Sequence, residues 1–156
     1  MITRAILIVA ATAAVTGVAT AATGATSMRS RSRLSVLTLL APTGGTTTPI
    51  DLGAKGMSPG DEFVTTDSPL DRPHRHARIG RFDGIETALS RARSSLAFTA
   101  QLPGGTLQVE GVFNPNNLQF TLPIVGGTGA YLGAHGAATL NTRASTPTIT
   151  FRWLGH

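Results

Sequence analysis

Beyond Leu34 most of the chain alternates between apolar and polar side chains with a period of two, the pattern of β-strands with one buried face. Ser95 to Leu102 is the clearest case, placing Leu96, Phe98, Ala100 and Leu102 on one side. Pro103-Gly104-Gly105 then gives a hairpin signal, and Thr106 to Phe113 answers with Leu107, Val109, Gly111 and Phe113 opposed to Gln108, Glu110 and Val112. Thr148 to Trp153 sets Ile149, Phe151 and Trp153 against Thr148, Thr150 and Arg152. Further strands are predicted at Leu34 to Leu40, at Gly60 to Ser68, where Pro69 is expected to end the strand, and at the small-residue run Gly136 to Thr142. Leu118 to Val125 is another, with Pro123 implying a bulge or an interrupted hydrogen-bond ladder. Thr46 to Pro59 reads as a polar loop broken by Pro49, Gly53, Gly56 and Pro59. Ala77 to Leu89 alternates strictly but has two mixed faces: Ile79, Arg81, Asp83, Ile85, Thr87 and Leu89 on one, Gly80, Phe82, Gly84, Glu86 and Ala88 on the other. Such faces suit a strand whose inner side lines a cavity and whose outer side meets solvent or another subunit.

Eight short strands without an amphipathic helix predict an all-β domain, either a sandwich or an up-and-down antiparallel barrel. An eight-stranded barrel is just wide enough to hold one small ligand. Composition agrees, since only 13% of the 156 residues are charged, too few for ordinary surface helices. Met1 to Thr26 has the order of an export signal: Arg4, an apolar run from Ala5 to Val18, then small residues around Ala19 to Ala22. The competing reading, an uncleaved anchor, suffers from Thr12, Thr16 and Gly17 interrupting a run that falls short of the roughly 20 apolar residues a span prefers. The expected organisation is therefore a signal over 1–26, a flexible basic lead-in over 27–33 and a barrel over 34–156, secreted and without stable membrane insertion after cleavage.

Gly126-Gly127-Thr128-Gly129, Gly133 and Gly136 form the densest glycine stretch. A phosphate cradle is one reading, but Gly127, Gly129 and Gly133 are spaced one residue too long for the dinucleotide fingerprint, and no acidic ribose-binding residue follows. A glycine-dependent connection between antiparallel strands fits better. The net charge of +5 comes from dispersed residues, all arginine except Lys55, that mix with Asp and Glu between 61 and 86, so no nucleic-acid partner is expected. The absence of cysteine removes disulfides, thiol nucleophiles and zinc–thiolate sites. His74-Arg75-His76 lacks a third ligand beyond Asp71, so no metal is expected, and no Ser-His-Asp order has a supporting strand-turn-helix nucleophile elbow, which argues against hydrolase chemistry.

The candidate catalytic residues are Asp67, Arg81, Glu86 and Glu110. Asp67 and Asp71 flank Pro69 near the expected mouth; in an apolar lumen a carboxylate becomes a proton donor, whereas in a turn it bonds its own backbone. Glu86 and Glu110 lie on strands where either the lumen or solvent can receive them. Arg81 and Asp83 share a face, as a lumen ion pair that polarises a carbonyl or as a surface pair of small energetic weight. Tyr131 is expected to pack at a barrel end, with His135 close by.

Four segments carry a family resemblance in order: Gly60 to Asp71 (GDEFVTTDSPLD), Ile79 to Gly84 (IGRFDG), Gln101 to Gly111 (QLPGGTLQVEG) and Phe120 to Gly136, which includes Val125 to Gly136 (VGGTGAYLGAHG). Together they resemble the dirigent and allene oxide cyclase-like barrel superfamily over about Leu34 to Trp153. The resemblance implies an eight-stranded antiparallel barrel with an open, largely apolar mouth that works without a cofactor. It also implies a flexible apolar or phenolic substrate whose folding is biased before bond formation, a catalysis of orientation. Asp67 sits where dirigent proteins carry the aspartate of Asp-Pro-Leu, with Ser68 intervening, and His135 stands where they often carry an arginine. No residue-by-residue match to the carboxylate site of the plant cyclases is present.

Two functions follow as expectations: a cofactor-free isomerase, cyclase or dirigent-type guide, and a non-catalytic lipocalin-like binder, with homo-oligomers formed through outward apolar strand faces. Convergence of two or more of Asp67, Arg81, Glu86 and Glu110 inside the lumen would favour catalysis. An apolar lumen would favour binding, and a lumen filled by side chains would argue against both.

Overall fold

The computed structural model describes residues 33–74 and 77–155. The export signal and all of the basic lead-in but Arg33, together with Arg75 and His76 of the histidine pair, lie outside the described residues. Among the described residues nine strands appear in chain order: β1 (Arg33–Leu40), β2 (Thr46–Ile50), β3 (Glu62–Asp71), β4 (Arg78–Ser90), β5 (Arg93–Leu102), β6 (Gly105–Phe113), β7 (Gln119–Gly127), β8 (His135–Asn141) and β9 (Thr148–Gly155). From β3 to β9 each strand pairs antiparallel with the next. β9 then pairs with β1 from Arg33↔Gly155 to Leu40↔Thr148, and β1 meets β3 at Leu40↔Asp71. The result is a closed eight-stranded antiparallel barrel. β2 is an additional outer strand laid along the half of β3 that β1 does not reach, from Thr46↔Thr66 to Ile50↔Glu62.

β2 falls inside the segment expected to be a polar loop. Its sequence, Thr-Thr-Thr-Pro-Ile, is exposed along its whole length, so neither face is buried and no alternation marks it. Pro69 does not end β3 either. The strand continues to Asp71 because a bulge between Thr65 and Ser68 absorbs the change of register, with Asp67 in the left-handed region at φ 53°. Pro123 does mark an irregularity: the β6–β7 ladder consists of Leu107↔Gly127, Gln108↔Gly126 and Val109↔Ile124, shifts register after Gln108, and stops short of the proline.

The inward face carries Leu39, Leu70, Phe98, Ala100, Leu102, Leu107, Val109, Leu122, Ile124, Ala138, Ile149 and Phe151, all buried. Phe98 meets Phe82 and Phe151 edge-on, with ring centroids 5.8 and 6.4 Å apart. These side chains fill the middle of the lumen and the end beneath the β5–β6 and β7–β8 connections.

That end is closed by two glycine connections set back to back. Gly129 begins a short 3-10 turn, Gly129–Tyr131, at φ 59°, and Gly104 turns the β5–β6 hairpin at φ 91°. A Cβ on Gly129 would overlap the carbonyl oxygen of Gly104, and one on Gly105 would overlap that of Thr128, so the backbones approach as only glycine permits. The approach lets Ala130 N–H donate to Gly104 O at 2.8 Å and Thr128 N–H to Thr106 O at 3.0 Å. The Thr106 and Thr128 hydroxyls pair at 2.8 Å. Tyr131 packs edge-on against Trp153, centroids 5.7 Å apart, and its hydroxyl donates to Pro103 O. The glycine stretch is therefore a structural closure, surrounded by antiparallel strands and not by a βαβ unit.

Candidate functional site

At the opposite end the lumen is open. Its cavity, of about 390 Å³, is bounded by the inward residues of five strands: Phe63 and Thr65 from β3, Phe82, Gly84 and Glu86 from β4, Leu96 from β5, Phe113 from β6, and Phe120 from β7. Leu140 closes it from β8, and Thr47, Pro115, Asn117 and Thr142 form a more polar rim. The volume lies in the range of small-molecule sites.

Gly84 and Gly111 let neighbours pack close: a Cβ on Gly84 would overlap Phe98, and one on Gly111 would meet Leu122 and Pro123 at 3.1 Å. Beyond Val109↔Ile124 no backbone pairing joins β6 to β7, and the stack of Phe113 on Phe120 spans them, with centroids 4.1 Å apart and planes 21° from parallel. The turn after Phe113 is fixed by Asn114, whose side chain accepts from Asn116 N–H at 3.0 Å and whose carbonyl accepts from Asn117 N–H at 3.0 Å. That turn holds Pro115 and Asn117 on the rim.

Of the four candidate residues only Glu86 lines this cavity. It is half-buried, between Phe63 and Leu96 on the neighbouring strands. Asp67 and Arg81 are brought together, but elsewhere. Arg81 Nη1 donates to Asp67 Oδ1 at 2.7 Å, with side chains 50% and 67% exposed, on the outward face of β4. Arg81 Nε also donates to Gln101 Oε1 at 3.0 Å, Gln101 Nε2 to Asp83 Oδ2 at 3.0 Å, and Asp67 N–H to Asp83 Oδ1 at 2.7 Å. This network pins the left-handed Asp67 at the bulge. Glu110 is exposed on the outer face of β6, beside Ala97. Chemistry by Asp67, Arg81 or Glu110 would therefore act from the outer surface, and the four do not converge on one point. His135 is exposed, with Nδ1 3.2 Å from Gly133 O at the packed end.

Sequence reasoning did not single out the phenylalanines at positions 63, 82, 113 and 120, which supply most of the cavity's apolar wall. The available signal was the alternation that put Phe82 on one face with Glu86. It also missed Asp61, a buried carboxylate in the β2–β3 connection. Asp61 accepts from Ser58 N–H at 2.6 Å, Leu52 N–H at 3.0 Å and the Ser58 hydroxyl at 3.2 Å. The backbone donors of Ser58 and Leu52 hold its carboxyl below the ordinary aspartate range, against the opposing pull of burial. Asp61 is thus a hub that fixes the loop beside the mouth, and not a proton donor.

A closed antiparallel barrel, packed at one end and open to an aromatic cavity at the other, defines a cavity-bearing β-barrel. Residues 41–152 match the dirigent-like protein family, and the chain belongs to it. None of the curated proteins compared with it matches. Among solved structures it is similar to a pyocyanin demethylase (21% identity, TM-score 0.66, covering 76% of this chain and 99% of that one). It is also similar to a pterocarpan synthase dirigent protein (19%, 0.59, 80% and 96%) and to an exo-specific intermolecular Diels-Alderase (14%, 0.63, 79% and 99%). At these identities the likeness is one of fold.

Proposed function

We propose that this protein binds a small, largely apolar aromatic molecule in the open end of the barrel and guides its cyclisation, isomerisation or coupling by holding one folded conformation. The observation that carries the reading is the cavity itself: about 390 Å³, four phenylalanines and one carboxylate, at the open end of a barrel whose middle and other end hold a buried apolar core. A rigid apolar wall restricts a flexible substrate to few conformers, and pre-paid orientation is a sizeable rate factor by itself. Glu86 supplies a hydrogen-bond acceptor or base toward an O–H or N–H of the bound molecule. Family membership supports the guiding role, as do the activities for which the similar barrels are named, a pterocarpan synthase and a Diels-Alderase among them. The site uses no cofactor in this reading.

A non-catalytic binder remains the second reading, favoured by one observation: Glu86 stands alone in the lumen, without a second polar catalytic partner from Arg81, Asp67 or Glu110. Native mass spectrometry of the protein after incubation with an extract of its producer separates the cases. A retained mass unchanged by incubation supports the binder; a retained mass that is an isomer or coupled product of a compound in the extract supports the guide. No retained mass across several extracts counts against both. Export is part of the proposal and rests on the order of Arg4, the apolar run and the small residues after it. An intact mass of the mature protein from culture medium, beginning within residues 20–27, would establish it; recovery of the whole chain from the cytosol would reject it.

A further inference from the structure

The cavity's charge is of one sign. Among the described residues Glu86 is the only ionisable side chain on its wall, and it takes part in neither ion pair and in no side-chain hydrogen bond. Its immediate surroundings are Phe63, Leu96 and Gly84, which offer the carboxylate no donor. The rim hydroxyls nearest β3 are engaged with each other, Thr47 Oγ1 lying 3.2 Å from Thr65 Oγ1. The phenylalanines offer a planar aromatic ligand apolar contact but no hydrogen-bond donor. Phe113 and Phe120 stack on each other, so each ring covers one face of the other.

Resting on the reading of this cavity as the ligand site, we infer that it selects a planar aromatic cation, an N-alkylated or protonated nitrogen heterocycle, over neutral and carboxylate-bearing molecules of the same shape. A cation entering beside Glu86 gives the carboxylate its missing partner in a site of lowered dielectric. A carboxylate ligand would place a second negative charge beside the first. The preference has to be local, since the chain as a whole carries a net charge of +5 and its long-range field favours anions.

The test is isothermal titration of the folded protein, at mildly alkaline pH, with N-methylacridinium, acridine and an acridine carboxylate, which share a ring system and differ in charge. The expected order is cation, then neutral, then anion, with the cation at least about tenfold tighter than acridine, equivalent to about 1.4 kcal/mol. Glu86→Gln should bring the cation's affinity down to that of acridine. If acridine or its carboxylate binds as tightly as the cation to the wild-type protein, or the cation's advantage survives in folded Glu86→Gln, the inference fails and the cavity reading stands. If none of the three binds while the extract experiment still returns a retained mass, the inference fails alone; if both experiments return nothing, the cavity reading fails with it.

Discussion

Replacing Gly129 by alanine tests whether the back-to-back glycine connections are what close the packed end. The residue sits at φ 59°, and its Cβ would overlap Gly104 O while coming within 3.2 Å of Gly105 Cα. Two costs add. Holding alanine in the left-handed region costs about 1–2 kcal/mol. Relieving the overlap requires the connections to separate, which breaks the Ala130–Gly104 backbone bond of 2.8 Å and loosens the Thr106–Thr128 pair, each worth about 1 kcal/mol. The sum is about 3–4 kcal/mol, a large fraction of the roughly 5–15 kcal/mol that holds a domain of this kind together. Gly126→Ala is the control: its Cβ would meet only the flexible end of Gln108, at 3.2 Å, and should change stability by less than about 0.5 kcal/mol. Urea unfolding followed by far-ultraviolet circular dichroism should show the Gly129→Ala midpoint more than about 1 M below wild type and that of Gly126→Ala close to wild type. Ligand affinity of the folded fraction should be unaffected, because the cavity lies at the other end. Equal midpoints for the two variants would refute the argument, as would a loss of binding in Gly129→Ala without a loss of stability.

Two further outcomes are expected. Because the folded-state pKa of Asp61 is lowered, its contribution to stability is fully present above about pH 4 and is lost as the pH falls through the folded value. Denaturation midpoints at pH 7 and pH 3 should therefore converge in Asp61→Asn relative to wild type, and an unchanged gap would show that the loop hub does not titrate with folding. On the outer network, Asp83→Ala removes the acceptor at 2.7 Å that holds the left-handed Asp67 and should cost about 1–3 kcal/mol, whereas Arg81→Ala breaks an exposed pair and should cost at most about 1 kcal/mol. Urea midpoints for the two variants decide it, and the reverse order would place the strain elsewhere.

The eight barrel strands were legible because each has one face against the core, so burial wrote a period of two into the sequence. β2 was not, since a strand exposed on both faces carries no such record and its Pro49 reads as a breaker. On β4 the alternation was visible, but its two mixed faces did not say which one turns in. The more aliphatic face, with Ile79 and Ile85, turns largely outward, leaving Ile85 45% exposed, while the face with Gly80, Gly84 and Glu86 turns in. The glycines are the informative residues there, because a Cβ on Gly80 would overlap Gln101 O and one on Gly84 would overlap Phe98, so the inward face is the one where neighbours approach too closely for a side chain. The bulge that reorients β3 around Asp67 has no period to betray it. The aromatic wall was hidden for another reason: its phenylalanines come from four strands and meet only once the barrel closes.

The separation of the two ends has a consequence for how this barrel can change. What closes the lumen is backbone against backbone, at Gly104, Gly105, Thr128 and Gly129, and leaves almost no substitution tolerated. What lines the cavity is side chain alone, contributed one or two residues at a time by strands whose pairing does not depend on them. Ligand preference is therefore carried by positions that can drift singly while the fold persists. A barrel so divided is well suited to sequences that diverge to about 20% identity while the architecture stays recognisable.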